Sequence, residues 1–320
     1  MSDGAPDHIR VRVPSKVNLF LAVRGMRDDG YHELVTVLQT VSIHDTISVH
    51  LDRSAASMHP SARRFMDVAL SVDGLPSVPA GEENLVLLAA RRLMREIGVG
   101  GDRGNGGATA PTTRMHLTKR IPVAAGMAGG SADAAGVLVA LNHVWDVGMH
   151  RDDLRRIAAE LGADVPFCVT GGTALATGIG TATAQVLTRG TCYWVVGITE
   201  SPLETREVYR VFDEVGEPSG YEPDAVLQAL RTGDPEALGA SLHNDLEVAA
   251  VHLRPRLGEQ LEAMRRAGAI GAIVSGSGPT VVALAPDATS SVAIAESVRG
   301  EFDRVEIALS PAGGPELSET

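Results

Sequence analysis

The chain is poor in cysteine, with two in 320 residues, and poor in positive charge, with 28 Lys and Arg against 40 Asp and Glu. Cys168 and Cys192 cannot build a disulfide framework. Both lie among apolar residues and read as buried free thiols of a reducing compartment, with a single bridge as the alternative. A net charge of −12 argues against nucleic acid or an anionic membrane as a partner, because both repel an acidic surface. No apolar run reaches the roughly 18 residues a membrane span needs. The opening MSDGAPDHIR lacks a signal peptide's apolar core, so a cytoplasmic protein is expected. No internal repeat occurs. What remains is ordinary for a globular chain, 44% hydrophobic and 21% charged, with enough residues for one large or two medium domains. Any phosphate site must be local, built from backbone amides and a few cations.

One stretch stands out, IPVAAGMAGGSADAAGV from Ile121 to Val137. Gly126, Gly129 and Gly130 sit among small residues, and the alanine-rich run from Ala132 to Asn142 has good helix propensity. A glycine turn feeding a helix can hold an anion: glycine accepts φ > 0 and lets the backbone approach, and the helix start offers unpaired N–H groups and a positive dipole end. The stretch lacks the Lys-Ser/Thr ending of a Walker loop and the strand-GxGxxG form of dinucleotide binders. By residue type alone it reads equally as a structural loop. The glycine-rich segment from Gly98 to Thr113 has no following helix and is a surface loop.

Period-two alternation predicts a strand over Ile9–Val13 and a second over Val17–Val23, with Lys16 and Asn18 as polar residues the pattern does not require. Residues 1–8 read as loose and 52–66 as a connection, and further strands are expected over 45–51, 70–72, 114–117, 171–176, 193–198 and 304–308. Asn84 to Ile97 is an amphipathic helix with Leu85, Leu88, Ala89 and Leu93 on one face. Helices are also expected over 151–161, 205–215, 224–230, 235–242, 254–267 and 290–300. Asp164 lies between a helix end and Val165-Pro166, where the helix dipole disfavours a carboxylate; it reads as a reactive group or as the cap of the next element. Lys16 reads equally as a solvated edge charge, and Tyr31, His32, Tyr209 and Phe212 as packing residues. Asp133 suits the dipole of a first helical turn.

On Pro122, Gly126, Gly130 and Ser131, the chain resembles the phosphate loop of the GHMP kinases, and Gly276-Ser277-Gly278-Pro279-Thr280 resembles their third motif. Asn244-Asp245-Leu246-Glu247 resembles the segment those kinases carry ahead of their C-terminal helices and is read as structural. Within the superfamily, PSKVNLFLAVRGMRDDGYHELVTVLQTVSIHDTI and the GADVP around Asp164 look like the branch that phosphorylates 4-diphosphocytidyl-2-C-methyl-D-erythritol. The resemblance covers roughly Val11 to Ala285.

It implies an α+β, two-domain fold with mixed and antiparallel sheets, packed helices and a cleft between domains. Residues 1–180 would form the N-terminal domain with the ATP loop, 181–310 the C-terminal domain, and 311–320 a polar tail. ATP would lie on the backbone of Pro122, Val123, Ala124, Ala125, Gly126, Met127, Ala128, Gly129, Gly130, Ser131 and Ala132. Lys16 and Asp164 would be catalytic. Asn18, Tyr31, His32, Thr205 and Tyr209 would bind the cytidine diphosphate methylerythritol, with the two tyrosines clamping the cytosine. Mg²⁺ would shield the phosphates. Many relatives carry Ser-Ser where this chain has Ser131-Ala132, so the metal ligands are left unassigned. A sister kinase, a GHMP decarboxylase and a silent nucleotide-binding module are the alternatives.

Overall fold

The computed structural model describes residues 7–52, 67–75, 78–99 and 112–319. The readings of a loose start, a connection over 52–66 and a loop over 98–113 fall largely outside them.

The first half runs β1 (His8–Met26), β2 (His32–Asp52), β3 (Asp67–Asp73), α1 (Leu85–Glu96), β4 (Thr112–Thr118), α2 (Gly129–Val144), α3 (Arg151–Ala159), α4 (Val165–Thr170), β5 (Thr173–Gly178) and β6 (Ala182–Gln185). β1 is one strand where the alternation predicts two. Its register against β2 shifts between Pro14 and Ser15, which absorbs a proline that cannot donate to the ladder. The first sheet has the order β12-β1-β2-β4-β3, with β5 and β6 joined through β2. α2 lies on this sheet so closely that a Cβ on Gly136 would stand 2.1 Å from Val13 Cγ1. It is mostly apolar and largely buried between the sheet and its neighbouring helices. In α1, Asn84 caps the Val86 N–H, and Val86, Leu87, Ala89, Ala90, Leu93 and Met94 are buried. Leu88, expected inside, is exposed. Consecutive apolar residues from Leu85 to Ala90 leave the stripe's direction open, and packing on α2 chooses it.

The second half runs β7 (Cys192–Ile198), α5 (Thr205–Val215), α6 (Asp224–Thr232), α7 (Pro235–Ser241), β8 (His243–Asn244), α8 (Glu247–Leu253), α9 (Arg256–Arg266), β9 (Gly271–Val274), β10 (Val281–Ala285), α10 (Ala288–Ser297), β11 (Arg304–Ser310) and β12 (Glu316–Glu319). The second sheet, β11-β7-β10-β9, is antiparallel throughout and buried on both faces except at the edge strand β11, where Ile307 and Leu309 are exposed. Trp194, Val196, Val282 and Leu284 join the core beneath the first sheet, while Val195, Val281 and Ala283 face a separate core with residues of α5, α8, α9 and α10. The architecture is α+β, as expected.

The chain passes from the first sheet to the second between Gln185 and Cys192, then returns to the first sheet twice. β8 pairs in parallel with β1, Leu21 opposite Asn244. Residues 311–320, expected as a polar tail, contain β12, which covers the free edge of β1. Leu317 packs against the core there, enough to order a segment whose composition alone reads as solvated. Cys168 is buried and Cys192 half-buried, both as free thiols.

Candidate active site

The glycine loop ends where α2 begins, and its backbone alternates in hand. Ala124, Gly126 and Ala128 have φ of 49°, 74° and 54°. Left-handed residues alternating along a turn converge their N–H groups into a concavity suited to anions. The glycines were expected to supply this geometry, yet two of the three positions are alanines, held at roughly 1 to 2 kcal/mol each. Gly129 and Gly130 lie inside α2 and serve close approach. A Cβ on Gly129 would stand 3.2 Å from Lys119 Nζ, and one on Gly130 3.3 Å from Leu85 Cδ1. Ala128 provides no side-chain cap, so the first N–H groups of α2, from Gly129, Gly130 and Ser131, have no intrahelical acceptor. Together with the dipole they suit an anion. Ala125, Met127 and Ala132 point inward and Val123 outward, so the segment 122–132 presents mainly backbone.

The segment between β9 and β10 supports the loop from below. Gly126 has room for no side chain, because its Cβ would stand 1.9 Å from Ser275 O. Ser275 Oγ donates to Gly126 O at 3.1 Å. Asn244 Nδ2 lies 2.8 Å from both Val274 O and Gly276 O, which fixes that segment against β8 and through it against β1. This accounts for the structural role read for Asn244.

Lys16 is almost wholly buried beside the loop. Its ammonium donates to Asn18 Oδ1 at 2.7 Å and to Gly126 O at 2.9 Å. Asp164 Oδ2 lies 3.8 Å away. Three ammonium protons serve two close acceptors, which leaves one directed to the open side where Asp164 stands, a third exposed. Asp164 occupies the N-cap position of α4 but makes no capping hydrogen bond. The cap reading of Asp164 is thus not realised, and its carboxylate faces Lys16 instead. Asn18 donates to Thr36 Oγ1 at 2.9 Å, which fixes the amide so that its Oδ1 faces the Lys16 ammonium.

Of the expected acceptor residues, Asn18 is on β1, Tyr31 directly precedes β2, His32 opens it, and Thr205 and Tyr209 lie on α5. Tyr209 faces His32, with ring centroids 4.9 Å apart and planes at 24°. Burial, then the negative charge of Asp164, push the Tyr209 phenol above its usual value. Tyr31, directly before β2, is 65% exposed. Thr205 Oγ1 and Ser277 Oγ are 3.1 Å apart, tying the start of α5 to the segment under the loop. Lys16, Asn18, the loop and Asp164 thus belong to elements around the first sheet, and Thr205, Tyr209 and Ser275–Ser277 to those around the second.

Two features escape the sequence reading. Asp213 on α5 bonds the His32 ring, 181 positions away in sequence, so its role is invisible before folding. Lys119 is buried beneath Gly129, where it pairs with Asp45 and, at 2.7 Å, with Asp133. Asp45 also accepts from Ile121 N at 2.9 Å. Asp133 is therefore no first-turn dipole partner. Burial pushes its carboxyl up to about 8 against the opposing pull of Lys119. A signal existed: a carboxylate inside a mostly apolar helix has little solvent to reach.

Residues 84–172 match the family described as GHMP kinases N terminal domain, and 226–304 match GHMP kinases C terminal. A 4-diphosphocytidyl-2-C-methyl-D-erythritol kinase of Nocardia farcinica is 43% identical over 97% of this chain and 95% of its own length. That of Salinispora tropica is 45% identical over 95% and 90%. The chain belongs to this family of GHMP kinases. A crystal structure of 4-(cytidine 5'-diphospho)-2C-methyl-D-erythritol kinase superposes on this GHMP kinase with a TM-score of 0.75, at 32% identity over 95% of this chain and all of that one. Homoserine kinase from Cytophaga hutchinsonii has the same TM-score at 19% identity over 99% of both chains, a likeness of fold alone. Membership implies ATP as the phosphoryl donor.

Proposed function

We propose that this kinase transfers the γ-phosphoryl group of ATP to the 2-hydroxyl of 4-diphosphocytidyl-2-C-methyl-D-erythritol, giving the 2-phosphate and ADP in the non-mevalonate route to isoprenoids. The observation that carries the reading is the Lys16 ammonium, which bonds Gly126 O of the phosphate loop at 2.9 Å and lies 3.8 Å from the Asp164 carboxylate. One cation thereby joins the donor's cradle to the candidate base. Phosphoryl transfer asks mainly for placement and charge relief, and this pair offers both.

The N–H groups of the 122–132 loop and the first turn of α2 would hold the ATP phosphates. Asp164 would take the proton of the attacking hydroxyl, and the free proton of Lys16 would stabilise the oxygen as it acquires charge. Asn18 would set the direction of Lys16, with its remaining amide proton available to the acceptor. His32 and Tyr209, with Tyr31 closing from the exposed side, would receive the cytosine, and Thr205 would lie near its ester. Aromatic faces hold a pyrimidine by offset stacking.

Mg²⁺ would neutralise phosphate charge. No group of three or more His, Cys, Asp or Glu that could hold a metal occurs among the described residues. Such a lining would still leave room for Mg²⁺ chemistry, since that ion keeps several waters and takes most of its ligands from phosphates. We place the protein in the cytoplasm with its small-molecule substrates, a reading supported by its free thiols; no helix among the described residues is long and apolar enough to cross a membrane.

Phosphorus NMR of the product tests the reaction type. A new phosphomonoester on the tertiary carbon, with ADP in equal amount, is expected; free phosphate with carbon dioxide would point to a decarboxylase.

A further inference from the structure

α5 presents two side chains to the ring of His32. Tyr209 and Asp213 are four residues apart and so share a helix face. Tyr209 stacks on the ring, and Asp213 Oδ1 lies 2.8 Å from Nε2. The His32 side chain is nearly buried, at 9% exposure, while that of Asp213 reaches solvent. The two contacts do different things. Stacking fixes the plane of the ring and leaves its flip free. The hydrogen bond removes that freedom, because a half-turn about the Cβ–Cγ bond would put carbon Cε1 where Nε2 now meets the carboxylate. It also fixes the tautomer: a carboxylate only accepts, so the proton sits on Nε2 and the lone pair of neutral imidazole on Nδ1.

We propose that Asp213 is a positioning residue for pyrimidine recognition. By holding the His32 proton on Nε2 it presents Nδ1 as an acceptor, which suits the 4-amino group of cytosine and opposes the 4-carbonyl of uracil. Two lone pairs facing each other in a partly dry site leave both unpaired, and sites that hydrogen-bond a substrate group discriminate through that penalty. The inference rests on the cytidyl acceptor proposed above and adds how the base is told apart. Asp213 need not touch the substrate.

The test compares the wild type with Asp213→Asn, using cytidine and uridine diphosphate esters of methylerythritol as acceptors and ADP release as the readout. An amide can turn either its oxygen or its nitrogen to Nε2, so the variant keeps the size and loses the instruction. The expected result is a KM for the cytidyl ester raised about tenfold. The kcat and the KM for ATP should stay within roughly twofold, and the preference for cytidine over uridine should fall at least about fivefold. Nitrogen-15 NMR of labelled histidine, with His32→Gln to assign the signal, should report an Nε2-protonated ring in the wild type and a mixture in the variant. An unchanged preference, or equal losses in kcat, both KM values and thermal stability, would overturn the proposal. A wild-type enzyme that turns over neither ester would instead overturn the acceptor assignment, and the NMR signal would still report whether Asp213 sets the tautomer.

Discussion

Gly126→Ala is the substitution the loop tolerates least. The new Cβ would stand 1.9 Å from Ser275 O, 2.9 Å from Ser275 C and 3.2 Å from Gly278 N, all of them backbone, so no rotamer change relieves it. The two backbones would have to part by about 1.5 Å to restore ordinary contact. That movement breaks two hydrogen bonds to Gly126 O, from Lys16 Nζ and from Ser275 Oγ. The first, from a charged donor, contributes about 1.5 to 3 kcal/mol and the second about 0.5 to 1.5. Holding alanine at φ +74° adds roughly 1 to 2 kcal/mol. The sum is on the order of 3 to 6 kcal/mol of stability, and displacement of the cradle relative to Lys16 should lower kcat/KM for ATP about 100-fold. Gly190→Ala is the control: its φ is +76° but nothing lies within 4 Å, so it should lose only the conformational part and keep its activity. Urea unfolding and ADP release on both variants separate strain from collision. A Gly126→Ala enzyme with kcat/KM within threefold of the wild type would refute the close contact between loop and buttress.

Asp164→Asn should lower kcat by about 100- to 10,000-fold with little change in the KM for ATP, because in the proposed mechanism the lost carboxylate acts on the acceptor; single-turnover kinetics would check it. Lys119→Met would leave the Asp45 carboxylate buried without its cation and should cost about 3 to 5 kcal/mol in urea unfolding, even though Lys119 touches no substrate in this account. Asp133 predicts a pH dependence. Its carboxyl rises on folding from 3.8 to about 8, so the native state holds the proton more tightly than the unfolded chain. Its contribution is fully present below pH 4 and is lost as pH rises towards 8. Wild type should therefore lose stability relative to Asp133→Asn between pH 5 and pH 8, as followed by thermal unfolding at matched ionic strength.

The legible parts of the site lie within short stretches of chain. The loop before α2 announces itself by small residues, and Asp164 by a position the helix dipole does not explain. Lys16 became meaningful only through its neighbours in the motif, since a lysine at a strand start has a bland explanation. What stayed hidden depends on long-range placement. The Lys119 cluster joins residues from β2, α2 and the turn after β4, and Asp213 meets His32 only once α5 is folded against β2. The contact of His32 with Tyr209 joins the start of β2 to α5, and no spacing in the sequence encodes it. The polarity of 311–320 hid β12, because pairing with an open strand edge demands little apolar surface.

The most direct test of the central claim is ADP release with ATP and Mg²⁺, offering 4-diphosphocytidyl-2-C-methyl-D-erythritol beside homoserine, mevalonate and galactose. Turnover confined to the cytidyl acceptor, and lost in Asp164→Asn, is the predicted result. Turnover of another acceptor would keep the kinase and reject the assignment of Tyr31, His32 and Tyr209. ATP binding with no turnover of any acceptor would contradict the account and leave a nucleotide-binding module in its place.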